Sequence, residues 1–448
     1  MSDLLGIGAQ AVSVYRGALA TIGDNVANAN TDGYSRRDVR LIESSALGGR
    51  DPLSNNLVTG GGVRISGIDR AWDAFRAADA RQARADAGRS ETALPWLSAG
   101  ETALDDGDYG VGQRLTAFFT AADALAADPA GTAPRRAMIA ALGDVTNAFN
   151  RSAAGLGEVA AGVTDAATDM VNGINDDLHA LAETNRAIGR GPPGSNARAQ
   201  MEDQRDRLLD SLSSRMSIDV TLDERGAASV RANGPGGPDL LEHATPTFVD
   251  LAVAADGQIS LRVSARDGTV ALGTTGGAIA GLTDASRTIA DQRRALDTIA
   301  NDFSTQLAAW SAGGVDADGN AAPSPLSGSG AAGIAVAISD PGAIAAGLAG
   351  GPANGNLLRL GALRDDSGAE ARHATLITGS AQQIASTKTQ AAALGVRRDN
   401  ALSALDAVSG VDLDREAAEL LRYQQAYEGS ARIIQVARET LQSIFNIF

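Results

Sequence analysis

The chain has no cysteine, only three histidines and a single lysine, Lys388. Without thiols, disulfides, thiolate metal sites and cysteine nucleophiles are excluded. His179, His243 and His373 fall in separate predicted elements, so no metal centre, cofactor site or catalytic cluster is expected. Aromatics are also scarce, at 4%, so a core must be built from Ala, Leu, Val and Ile. No apolar run approaches the roughly 18 residues that would cross a bilayer. The opening "MSDLLGIGAQAVSVYRGALATIGD" lacks both a basic n-region and a continuous apolar h-region, and is not read as a secretory signal. Positive charge is in deficit, with 38 Lys and Arg against 54 Asp and Glu, for a net charge of −16. That balance argues against nucleic acid, whose phosphates need a basic footprint, and against an anionic membrane.

What is present is helical periodicity over a length, 448 residues, that suits about three domains. Positions 1, 5, 8, 12, 15, 19, 22 and 26 read Met, Leu, Gly, Val, Tyr, Leu, Ile, Val. Seven of the eight are apolar at alternating spacings of 4 and 3, which predicts a heptad seam. It stops in "DNVANANTDGYSRR", where Asn28 to Gly33 favour the left-handed backbone that ends helices. The far end of the chain carries a counterpart. Positions 413, 417, 420, 424, 427, 431, 434, 438, 441, 445 and 448 are apolar in nine cases of eleven, and Asp412 or Asp414 is placed to cap the helix start. A lone helix of such length is marginal in water, so each seam needs a partner, and the simplest partner for each is the other. Each well-buried large apolar side chain contributes roughly 1.5–3 kcal/mol, against an ordering entropy of similar total size. The pair is therefore expected to be loose in a free subunit and to lock when neighbours cover its remaining apolar surface.

Between the ends, "RRDVRLIE" and "GGGVRISGIDR" predict a strand pair. Helix is expected over 71–104, 111–127 and 132–188. In the last, Leu142, Val145, Phe149, Leu156, Val159, Val163, Ala166 and Met170 keep heptad spacing, with Ser152 the only polar interruption. A short helix and then turn-separated β-type runs give a small antiparallel body at 217–275. A helix from about Gly277 aligns Leu282, Ala285, Ile289, Leu296, Ile299, Phe303 and Trp310, interrupted by Gln292 and Gln306. A Gly/Ser/Pro-rich loop at 313–332, a short strand "IAVAI" and a helix at 369–408 follow. The expected fold is mainly α with a small antiparallel β domain: an elongated rod of discontinuous domains, its terminal helices paired as a coiled coil. The domains are 1–33 with 412–448, 34–216 with 276–411, and 217–275.

Several motifs resemble chemistry without completing it. Asp316, Asp318 and Asn320 have calcium-loop spacing, but Ser327 stands where the bidentate Glu is required. "TGGGVRI" (59–65) lacks the Lys-Ser/Thr of a phosphate-binding loop and reads as a hairpin turn. Asp105, Asp106 and Asp108 read as a solvated turn. No Gly-x-Ser-x-Gly elbow occurs. An enzyme is not expected.

The stretches "DNVANANTDGYSRRDVRL" and "DREAAELLRYQQAYEGSARIIQVARETLQSIF" together resemble the axial proteins of the bacterial flagellum, and among them the hook-associated protein 1 family of first hook–filament junction proteins, FlgK type. "FFTAADALAADPAGTAPRRAMIAAL", "RDRLLDSLSSRMSIDVTLDERGAASV", "GVDADGN" and "GNLLRLGAL" extend the resemblance along nearly the whole chain. It implies a structural subunit that is extracellular, exported through the flagellar type III route, and assembled with copies of itself, the hook protein and hook-associated protein 3. The implied assembly interface is Leu5, Val12, Tyr15, Leu19, Ile22, Val26, Asn28, Asn30, Thr31, Gly33 and Tyr34 with Leu413, Ala417, Leu420, Tyr423, Gln424, Tyr427, Ile434, Leu441, Phe445 and Phe448. Tyr34 and Arg36 either position the break against the next layer or flank a turn. An export chaperone is implied to bind the last helix through Leu420, Tyr427, Ile434, Leu441 and Phe445. A flagellin-like filament subunit or another hook component is the alternative.

Overall fold

The computed structural model describes residues 2–44, 62–104, 107–265, 268–273, 276–365 and 368–446. Phe448, Asp105, Asp106 and the first residues of the expected turn at 59–65 lie outside them. In chain order the elements are α1 (Ser2–Ala27), β1 (Arg37–Glu43), β2 (Val63–Arg70), α2 (Ala74–Leu104), α3 (Val111–Ala127), α4 (Thr132–Arg190), α5 (Asn196–Arg215), β3 (Ile218–Leu222), β4 (Ala228–Ala232), β5 (Asp239–Glu242), β6 (Thr245–Pro246), β7 (Val249–Val253), β8 (Ile259–Ala265), β9 (Gly268–Leu272), α6 (Ala278–Ala312), β10 (Leu326–Ser327), α7 (Gly330–Gly333), β11 (Ala335–Val336), α8 (Leu357–Leu360), α9 (Ala369–Ser409) and α10 (Leu413–Phe445). The chain is mainly helical, with small antiparallel sheets and long helices near both ends. Two compact units form. The first holds residues 1–84, 174–248 and 396–448, and the second 85–173 and 249–395.

The first unit contains the terminal helices. Strands β1 and β2 pair antiparallel, with a register shift at Arg40/Leu41, and β3–β4–β5–β6 form a second antiparallel sheet. Asn185 of α4 ties this sheet to its helix. Its amide accepts from Ala228 N at 2.9 Å and donates to Ala228 O at 2.8 Å, so a side chain completes the pairing of β4. Helix α5 starts at Ser195, whose hydroxyl accepts from Arg198 N at 3.2 Å.

The second unit is built around α6. Leu282, Ala285, Ile289, Leu296, Ile299, Phe303 and Trp310 are all buried, as their spacing requires of a core-facing stripe. Phe118 of α3 meets Phe303 edge-on at 5.8 Å and Phe119 at 5.2 Å. The polar interruption Gln292 is buried and donates to Ser380 Oγ at 3.1 Å, and Ser152 donates to Leu104 O at 3.3 Å. Along α4 the buried stripe follows Leu142, Val145, Phe149, Leu156 and Val163, then moves one residue on, to Ala167 and Val171. A straight helix drifts against a strict seven-residue repeat, so Ala166 and Met170 fall to its flank.

The β-rich stretch expected as one body forms two sheets. β3–β6 belong to the first unit, and β7–β8–β9 to the second, where Ile259 N donates to Ser286 Oγ of α6 at 3.1 Å. Each sheet is bonded to a helix of its own unit, β4 to Asn185 of α4 and β8 to Ser286 of α6.

Candidate functional site

Helices α1 and α10 pack against each other antiparallel. Gly8 lies against Ile434, Tyr15 against Tyr423 with ring centroids 6.1 Å apart, and Asn25 against Glu416. On Gly8 a Cβ would come within 2.7 Å of Ile434 Cγ1, so the glycine admits the isoleucine. The opposite flank of α1 meets the β1–β2 hairpin, where a Cβ on Gly17 would come within 2.7 Å of Ile65 Cδ1. Because α1 has two neighbours, its buried face is broad: Gly8, Ala11, Val14, Ala18, Thr21, Ile22 and Asn25. Relative to the predicted seam, the layer 8, 15, 22 is shared. The other layer sits one residue earlier, at 11, 18 and 25 instead of 12, 19 and 26. Leu5, Val12, Tyr15 and Leu19 are half-buried, and Val26 is exposed.

Helix α10 repeats this displacement. Leu420, Tyr427, Ile434 and Leu441 are half-buried as one layer, and the other is the buried Glu416, Ser430 and Ala437 with the half-buried Tyr423, while of 417, 424, 431 and 438 only Ala431 is half-buried. Leu413, Ala417 and Gln424 are exposed, and Phe445 is the last residue of the helix. Asp412, not Asp414, is the cap, accepting from Asp414 N at 2.9 Å and Arg415 N at 3.3 Å. Leu4, Val26, Leu413, Leu421, Ile433, Val436 and Ile444 remain exposed along the two helices.

The break after α1 is a turn held by its own side chains. Asn28 Nδ2 donates to Asp24 O at 2.8 Å, Thr31 Oγ1 to Asn28 Oδ1 at 3.4 Å, and Tyr34 N to Thr31 O at 3.1 Å. Asn30, Thr31 and Gly33 are exposed, and Asn28 and Tyr34 are half-buried. Gly33 has φ +70°, and a Cβ there would overlap the Arg207 side chain of α5, so both the backbone and the space require glycine.

Beyond the turn, a buried polar network converges on the fully buried Asn25. Its Oδ1 accepts from Arg37 N at 3.0 Å and Tyr34 OH at 2.8 Å. Its Nδ2 donates to Arg37 O at 2.9 Å and Glu416 Oε2 at 3.0 Å. Both atoms of the amide are thereby saturated. Glu416, with 0% of its side chain exposed, also accepts from Arg36 Nε at 2.7 Å, and Arg36 reaches Asp38 and Glu419 as well. Arg37 turns the other way, to Asp203 of α5 at 2.6 Å, and Arg70 of β2 bonds Asp203 and Asp206, both at 2.8 Å. Burial pushes the Tyr34 phenol up to about 12. Burial opposes the Arg36 charge, but the Glu416 bond and the nearby carboxylates outweigh it and raise its pKa. Burial likewise opposes the Asp206 charge, and Arg205, Arg70 and Arg81 overcome it, holding the carboxyl below its usual range.

Asn25, Arg37, Arg70, Asp203, Asp206 and Glu416 are functional candidates that apolar periodicity passes over. Asn25 and Glu416 stand one residue before the predicted seam positions 26 and 417, so apolar periodicity gives no signal for them. Elsewhere, Asp316 Oδ1 accepts from Asp318 N and Asn320 N at 2.9 and 2.8 Å, which makes that loop an Asx turn. Among the described residues no three His, Asp or Glu side chains are grouped to hold a metal ion, and no helix is long and apolar enough to cross a membrane.

Three family models match the chain. That of the flagellar hook-associated protein FlgK helical domain covers residues 97–324, just over half of the chain. A flagella basal body rod protein model covers 7–34, and a flagellar basal body rod FlgEFG protein C-terminal model covers 405–447. The last two fall on α1 with its turn and on α10. Flagellar hook-associated protein 1 of Salmonella typhimurium is 26% identical over 331 residues, 71% of this chain and 58% of the relative. That of Bacillus subtilis is 29% identical over 52% of this chain and 47% of the relative. The chain thus spans about half the length of the curated relatives it matches. The flagellar hook junction protein FlgK of Burkholderia pseudomallei shares the fold, with a TM-score of 0.50 at 22% identity over 56% of this chain and 46% of that one. With more than half of its residues matched by the FlgK helical-domain model, this chain belongs to the flagellar hook-associated protein family of the FlgK type.

Proposed function

We propose that the chain is a structural subunit of the hook–filament junction, held in the axial structure by coiled-coil packing of α1 and α10. The observation that carries this reading is the antiparallel α1–α10 pair, which leaves Leu421, Ile433 and Val436 exposed along α10. Apolar side chains in such rows favour burial against further helices, and copies of the same subunit supply them. In this reading residues 1–33 and 412–448 line the inner tube of the axial structure. The chain is exported through the flagellar type III route and is extracellular. Its neighbours are the hook protein and hook-associated protein 3. Before export a chaperone covers the α10 layer Leu420, Tyr427, Ile434 and Leu441, together with Phe445.

Deletion of residues 413–448 tests it. Incorporation at the hook end and chaperone capture are expected to be lost, with hydrogen exchange in the second unit unchanged. Filament attachment by the truncated chain would refute the role of the pair. The rod-protein matches at 7–34 and 405–447 favour, as a second reading, another axial subunit such as a hook component or flagellin-like protein. Immunolabelling separates the two: a narrow band at the end of the hook for the junction, staining along hook or filament for the alternative.

A further inference from the structure

Shape helps align α1 and α10 at one point, where Gly8 admits Ile434, and the remaining apolar surface of the pair is poorly suited to choosing its own alignment. The small layer of α1 presents Ala11 and Ala18, identical side chains one heptad apart and both buried. The facing layer of α10 runs Tyr423, Ser430, Ala437. Sliding one helix by seven residues keeps small residues facing a mixed layer, and hydrophobic burial is non-directional. Antiparallel pairs of this kind need a separate device to fix register, and a buried polar contact is the best-attested one.

We infer that the Asn25–Glu416–Arg36 cluster is the register pin of the terminal helix pair. The inference deepens the reading of α1 and α10 as the assembly element and rests on it. Asn25 is fixed from one side by the backbone of Arg37, whose N–H and carbonyl it pairs at 3.0 and 2.9 Å. Arg36 is fixed by its own N–H, which donates to Ser409 O at 2.8 Å just ahead of α10. Glu416 fits between them, one carboxylate oxygen on Arg36 Nε and the other on Asn25 Nδ2. A slip of one heptad carries Glu416 either to Ala18 or past the end of α1 to Asp32. In the first position a fully buried carboxylate has no donor, and in the second it meets a like charge. Both are strongly penalised, while the correct register satisfies every atom of the cluster. Asn25 and Glu416 are positioning residues: they act by choosing which residues of the two helices meet, and so which apolar side chains the pair offers to its neighbours.

The absence of cysteine permits a direct test in the full-length chain. Gly8→Cys with Ile434→Cys reports the native register, since a Cβ on Gly8 lies beside Ile434. Tyr15→Cys with Ile434→Cys, and Gly8→Cys with Tyr427→Cys, report slips of one heptad in the two directions. Each pair is oxidised in the otherwise unaltered chain, in Glu416→Gln, and in the double variant Asn25→Leu/Glu416→Leu. The unaltered chain is expected to cross-link only the native pair, and Glu416→Gln, whose amide offers one oxygen where Arg36 Nε and Asn25 Nδ2 each need one, is expected to fall between it and the double variant. The double variant is expected to raise the ratio of slipped to native cross-link roughly tenfold or more. If it still cross-links only the native pair, shape alone sets the register and the pin is overturned, while the paired reading stands. If no pair cross-links even in the unaltered chain, the terminal pairing itself fails and the pin with it.

Discussion

Arg36 and Arg37 are adjacent in sequence and serve different neighbours. Consecutive side chains of an extended segment point to opposite faces. Arg36 therefore reaches Glu416 of α10, and Arg37 reaches Asp203 of α5. Two arginines thus join the end of α1 to both helices that flank it. The Arg36–Glu416 pair is nearly solvent-free, with side chains 5% and 0% exposed, so losing one partner strands the other. Glu416→Ala is expected to cost about 3–5 kcal/mol in chemical denaturation. Tyr34 adds a pH dependence. Its phenol ionises at 10.0 unperturbed and at about 12 in the fold. Its contribution is complete below pH 10 and is lost as pH rises from 10 toward 12, because only the unfolded chain readily releases the proton. Tyr34→Phe should flatten that alkaline limb in denaturation midpoints taken between pH 9 and 12, while weakening the fold near neutrality through the lost bond to Asn25.

Among the elements, α10 depends most on its surroundings. Its residues are mostly exposed apart from one stripe, so its stability comes from capping and from α1. Asp412 satisfies two of the free N–H groups at its start. Asp412→Ala is expected to cost about 0.5–2 kcal/mol, read as faster amide exchange over residues 413–416. The stripe itself explains why a count of apolar residues chose the wrong second layer. Ala417 and Leu413 score as apolar but are exposed, whereas the buried residues are Glu416, Ser430 and Ala437, with Tyr423 half-buried between them. Residues one apart on a helix differ by about 100°, so the two candidate stripes overlap in half their members and hydropathy alone cannot separate them.

At the scale of the whole molecule, the two units divide the chain's work. The second unit holds the large Ala-, Leu- and Phe-rich core around α6, and the first holds the terminal pair and its ionic network. Phe303 is 1% exposed and packs edge-on against Phe118. Phe303→Ala is expected to destabilise the second unit by about 3–5 kcal/mol, measured as a drop in exchange protection along α3 and α6. The chain's discontinuity follows from its topology: each unit gathers segments from several stretches of the chain. The first unit depends on contacts such as Asn25–Glu416, separated by 391 positions, which must wait until nearly all of the chain is present.

The sequence by itself determined the helices, their approximate limits, the strand pairs, the break after Val26 and the correspondence of the two ends. These follow from periodicity, capping and turn residues, all of which act within a few positions along the chain. Only the tertiary structure decided that the β-rich stretch divides into two sheets, that one layer of each terminal stripe lies one residue from its apolar counterpart, and that Glu416 belongs to Asn25 and Arg36. Those outcomes depend on which surfaces face each other across space. A carboxylate on a helix reads as a solvated surface group until the arginine and the amide that enclose it are in place.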